Sequence, residues 1–122
     1  MEIQSYRDLK VWQTAMDVAA SVYALTKDFP SDERYGLTSQ VRRAAVSVAA
    51  NIAEGYGRDS SGAYANFLRV AQGSVKEVET HLLLAMRVGV ARAPDCEPIL
   101  ALCDEVGGML RSLIRSIERH AE

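Results

Sequence analysis

Apolar residues return at the three-and-four spacing of an α-helix in four separate stretches of this chain, and strand-like alternation is not sustained anywhere between turn signals. With only three prolines and eight glycines in 122 residues, there are few places to turn. Four amphipathic helices joined by short links must return antiparallel. The sequence therefore predicts an all-α, up-down-up-down four-helix bundle in a single domain over residues 1–122. Its 48% apolar and 25% charged residues suit a chain that buries a core of its own.

The expected helices cover about 8–27, 37–56, 61–88 and 94–120, with Phe29-Pro30, Gly36, the run Gly55–Gly62 and Gly89 as punctuation. Ser5 and Asp8 resemble a capping pair ahead of the first helix, and Ser31–Arg34 suits one extra turn. Along the first helix, Leu9, Trp12, Met16, Ala19 and Tyr23 fall within about 80° of arc at 100° per residue. Val11, Ala15, Val18 and Val22 carry the apolar surface round the side, so the arc is wider than one neighbouring helix pair needs. Tyr64, Phe67, Leu68, Ala71, Val75, Val78, Leu82, Ala85 and Met86 mark the core side of the third helix. Ile99, Leu102, Cys103, Val106, Met109, Leu110, Leu113 and Ile117 mark that of the fourth. Gly107-Gly108 inside it costs about 1 kcal/mol per glycine relative to alanine and signals a kink or a tight crossing.

The second helix is the informative one. Val41, Ala44, Ala45, Val48 and Ile52 form one apolar face, while Val46, Ala49, Ala50 and Ala53 form another. A four-helix bundle covers only one of these, so the nearly all-alanine second face is expected to meet another copy of the chain. Between the faces runs a polar edge of Arg43, Ser47, Asn51 and Glu54. It is either a hydrogen-bonded network that fixes helix register or a site for a partner or small ligand; the network is the preferred reading.

Catalytic and metal chemistry find little to work with. His81 and His120 begin no Glu-x-x-His or His-Glu-x-x-His pattern, and Glu77 before His81 reads as surface polarity. Cys96 and Cys103 are separated by roughly 10 Å along one helix, too far for a disulfide, and read as two reduced thiols. Cys103 falls in the core stripe, and Asp95 and Glu97 beside Cys96 oppose a thiolate. No nucleophile elbow or phosphate-binding glycine loop follows a strand. No catalytic residue, metal site or cofactor is expected, and the protein is read as a non-enzyme. Lacking a signal-peptide layout and any apolar run of about 18 residues, it is expected in the cytoplasm and not in a membrane.

A net charge of -2 disfavours a dedicated nucleic-acid binder. Arg42, Arg43, Arg58, Arg69, Lys76 and Arg87 nonetheless make a candidate track for phosphates, with a solvated helix face as the plainer alternative.

Several stretches resemble a known family. They are Tyr6–Trp12, Glu33–Ala45, Asn51–Arg58, Phe67–Ser74 and Glu77–Thr80. Together they resemble the four-helix-bundle family of proteins encoded in intervening sequences of bacterial 23S ribosomal RNA genes, often labelled S23 ribosomal proteins. That family is related in fold to the accessory protein of diversity-generating retroelements. The resemblance implies a ring-like homopentamer and no known catalysis. The retroelement relatives would add contact with a reverse transcriptase and nucleic acid. This chain departs from the pattern in its acidic balance and in carrying Ala49 where the family commonly has proline. The resulting expectation is a non-enzymatic oligomer that scaffolds or binds a macromolecular partner. An RNA- or DNA-associated accessory protein is the alternative, and a small-ligand-binding bundle centred on Asn51 and Glu54 is a third.

Overall fold

The computed structural model describes residues 2–121. Four helices carry the fold: α1 (Lys10–Thr26), α2 (Leu37–Tyr56), α3 (Ser61–Arg87) and α4 (Ala93–Ala121), with 3-10 turns at Tyr6–Asp8 and Ser31–Glu33. Each helix packs on its neighbours in chain order and α4 closes back on α1, while the diagonal pairs do not meet among the described residues. This is an antiparallel four-helix bundle.

Local chemistry sets most boundaries. Ser5 Oγ accepts from the Arg7 amide at 3.1 Å and Asp8 Oδ2 accepts from the Ser5 amide at 3.2 Å, a complete capping box. It caps the 3-10 turn rather than α1, because Leu9 is extended and the long helix begins one residue later. The break lets Tyr6 turn back onto Trp12, edge to face at 5.3 Å. Ser60 caps α3 through a 3.1 Å bond from the Ala63 amide. At the far end Gly89, at φ 79, turns the chain so that the amides of Val90 and Ala91 both reach the Ala85 carbonyl, at 2.8 and 3.1 Å.

The core is aliphatic: Val18, Val22, Val41, Val48, Ile52, Leu68, Val78, Leu82, Val106 and Leu110 are all fully buried. For α2, α3 and α4 the buried residues follow the expected stripes, with Thr38, Ala49, Gly55, Ala65, Ser74, Cys96 and Ile114 added. In α1 the wide apolar arc divides, and Ala19 joins the inner side. Val11, Ala15, Val18 and Val22 fill the core, whereas Met16 and Tyr23 are exposed and Trp12 is only half-buried. The reason is width. The apolar arc is too broad for both sides to be inside, and the compact β-branched and alanine side fits between α2 and α4 where bulky rings do not.

The glycine pair in α4 does not mark a tight crossing. The helix runs through Gly107-Gly108 unbroken, and a Cβ on either residue would meet only the Arg111 guanidinium, at 3.6 and 3.8 Å. The tight crossing lies instead at Gly55. A Cβ there would stand 2.8 Å from Phe67 Cβ and 3.3 Å from the Tyr64 carbonyl oxygen, so only glycine lets α2 and α3 approach this closely. With alanine at position 49, α2 is continuous from Leu37 to Tyr56.

Candidate interaction surface

The outward arc of α1 and the second apolar face of α2 lie side by side and form one open groove of about 440 Å³. Tyr6, Trp12, Met16, Ala19, Ala20 and Tyr23 come from the first side, and Val46, Ala49, Ala50 and Ala53 from the second. Its floor is alanine, because small residues let α1 and α2 approach closely at the seam. Its walls are bulky and wet: Val46, Met16 and Tyr23 are 46%, 45% and 43% exposed. All four second-face residues of α2 line the groove, although Ala49 is itself sealed against the rest of the chain at 5% exposure. The α1 half was not singled out in the sequence because Trp12, Met16 and Tyr23 read as part of one wide apolar arc.

One end of the groove carries a fixed cation. The Arg42 guanidinium lies 4.6 Å over the Tyr23 ring, and its Nε donates to Thr26 Oγ1 at 2.7 Å. Thr26 is buried and donates in turn to the Val22 carbonyl at 2.8 Å. No carboxylate pairs with Arg42 among the described residues. At the other end, Arg7 sits 5.7 Å over Tyr6.

The opposite flank of α2, toward α3, is closed by polar bonds. Ser47 Oγ and Ser74 Oγ are 2.8 Å apart, and Asn51 Nδ2 donates to the Ser47 carbonyl at 2.8 Å and to Ser47 Oγ at 3.0 Å. Ser74, unflagged in the sequence, interrupts the apolar side of α3 where this network needs a partner. Arg43 and Glu54 stay exposed and take no part in it. The four residues of the polar edge are therefore not gathered into one site.

Nor are the six basic residues. Arg42 belongs to the α1/α2 groove, Arg58 lies 4.6 Å over Phe67, and Arg43 and Arg87 are exposed on their own helices. Arg69 pairs with Glu118, and Lys76 pairs with Glu79 at 3.1 Å. Arg69 and Lys76 do join Arg111 along a shallow α3/α4 groove of about 400 Å³ floored by Gly73 and Gly107.

Both thiols are buried. Burial, with Asp95 adding, pushes the Cys96 thiol up. Burial also pushes Cys103 up to about 12, with Glu79 and Asp104 adding and Lys76 opposing. Among the described residues no three His, Cys, Asp or Glu side chains gather as a metal site would need. His120 Nδ1 lies 2.8 Å from the Ser116 carbonyl, and Glu77 is exposed. Among those residues no helix is long and apolar enough to cross a membrane.

Fold and surface together define a class: an antiparallel four-helix bundle with an open apolar groove between α1 and α2. The pattern of the 23S rRNA-intervening sequence protein family matches residues 7–112. The chain belongs to that family. It is also similar to a crystal structure of a protein with unknown function from the S23 ribosomal protein family of Bacteroides thetaiotaomicron. The two share 26% identity and a TM-score of 0.78, with 85% of this chain and 97% of the other covered. No curated protein matches this chain.

Proposed function

We propose that the chain is a non-enzymatic homo-oligomer that assembles through the α1/α2 groove and scaffolds a macromolecular partner. The observation that carries this reading is the groove itself: a bundle whose own core is full still leaves Met16, Tyr23 and Val46 nearly half exposed over an alanine floor. Covering their exposed halves contributes about 1 kcal/mol per side chain toward assembly. A ring of five is the stoichiometry we propose, in line with the family resemblance. Ala50→Glu places a charge on the floor at an exposed helix position. It should leave helicity by circular dichroism unchanged and reduce the particle seen by light scattering to the 13.4 kDa monomer. A wild-type chain that already scatters as a monomer at micromolar concentration overturns the reading.

The α3/α4 groove supports a second reading, contact with the phosphates of RNA or DNA, because it brings Arg111 beside Arg69 and Lys76. Filter binding at two salt concentrations decides it. Absence of affinity at low salt removes it, and binding that fails to weaken as salt rises excludes phosphate contact as its basis.

A further inference from the structure

The bundle has a second exposed apolar surface that its own helices leave bare. On the outer side of α3, Leu83 and Leu84 are 52% and 44% exposed, flanked by Thr80 and Arg87 and followed by Val88. These residues project from a single helix and form a ridge beside a shallow hollow of about 630 Å³, whereas the α1/α2 surface is a trough between two helices. The trough has a floor of alanines too small to fill it, and the ridge carries leucines with nothing to enter. Because α1 and α3 stand diagonally across the bundle, a copy's own ridge faces away from its own trough.

Charge points the same way. Among the described residues, Arg42 ends the trough without a carboxylate partner, and Glu77 on α3 is exposed without a cationic one. The register agrees as well. Arg42 to Ala49 and Glu77 to Leu84 are both seven residues, about 10.5 Å along a helix. A neighbour's α3 laid parallel to α2 therefore sets Leu84 over the alanine floor when Glu77 reaches Arg42.

We propose that the occupant of the α1/α2 groove is the outer face of α3 from a second copy, with Leu83 and Leu84 over the alanine floor and Glu77 against Arg42. This rests on the self-assembly reading above and adds its geometry. The contact is head-to-tail, joining two different patches, and leaves one trough and one ridge open at the ends of any chain of copies until a ring closes.

Mixing two disabled variants tests this geometry. Ala50→Glu blocks the trough and keeps the ridge; Leu84→Glu blocks the ridge and keeps the trough. Each alone should scatter as a monomer, and the mixture should form a 1:1 pair that cannot grow. A Leu84→Glu protein that assembles like the wild type overturns the proposal while leaving self-assembly intact; a monomeric wild type removes both. Cross-linking gives an independent readout for a weak single contact. Under mild oxidation an Ala50→Cys, Leu84→Cys double variant should yield a ladder of covalent multimers, and neither single variant should yield dimers. Cys96 and Cys103, buried and with their thiols held protonated, stay silent. Dimers from Ala50→Cys alone would show trough meeting trough and overturn the proposal. The absence of any ladder from the double variant overturns it as well.

Discussion

The two flanks of α2 are built from similar small residues and end in opposite states. Toward α3, Gly55 brings the backbones together and Ser47, Asn51 and Ser74 satisfy one another, so the flank is finished within one chain. Toward α1, the seam is floored with alanines, but Met16, Tyr23 and Val46 beside them stay nearly half exposed. Polar groups at a half-buried seam must be partnered locally, because each unpaired one costs about 1–3 kcal/mol. Apolar groups carry no such directional demand and can wait for a partner molecule. A bundle that associates can therefore be expected to keep its polar flank to itself and leave its dry flank open.

This comparison can be broken at several points. The largest effect belongs to the seam beneath both flanks. Ile52→Ala should cost about 2–5 kcal/mol in denaturant unfolding, since Ile52 is fully buried at the meeting of the helices. A loss under about 1 kcal/mol would mean that the core is looser than the helix packing implies.

Next comes alkaline pH, which probes the buried α3/α4 seam. Cys103 is held up to about 12 from a usual thiol value near 9, so the folded state keeps a proton that the unfolded chain releases first. Stability from this group is complete below about 9 and drains away as the pH rises toward about 12. Cys96 and Tyr64, both raised chiefly by burial, act with the same sign. The denaturation midpoint should fall between about pH 8 and about pH 10.5, and Cys103→Ala should shrink that fall. A midpoint that rises over this interval contradicts the burial.

The smallest effects set the flanks against each other directly. Ser74→Ala takes away the Ser47 bond and should cost about 1 kcal/mol. Met16→Gln on the groove side should change the stability of the dilute, unassembled chain by no more than about 0.5 kcal/mol. If Met16→Gln proves the costlier of the two in the monomer, the distinction between a finished and an unfinished flank fails.

Much of this was legible in the residues themselves. The four helices, the stop at Gly89 and the two-sided apolar character of α2 follow from periodicity and local hydrogen bonding, which the chain carries at short range. Half of the groove was legible too, through Val46, Ala49, Ala50 and Ala53. The other half was not. Periodicity measures how wide an apolar arc is, and α1 has two candidate arcs that differ only in the bulk of their residues. Likewise Ser47 and Asn51 declared themselves as a polar edge, but Ser74 lies 23 positions beyond Asn51 and nothing local joins them.

By itself, then, the sequence determined which segments are helical, where they stop, and that α2 has more dry surface than one bundle covers, because these properties depend on neighbours within a few residues. The tertiary structure decided which arc of α1 turns inward, which glycine sits at the close crossing, and that Arg42 stands at the end of a groove while Arg69, Lys76 and Arg111 share another. Those outcomes depend on volumes meeting across helices distant in the chain, and steric fit of that kind exists only once the helices are packed.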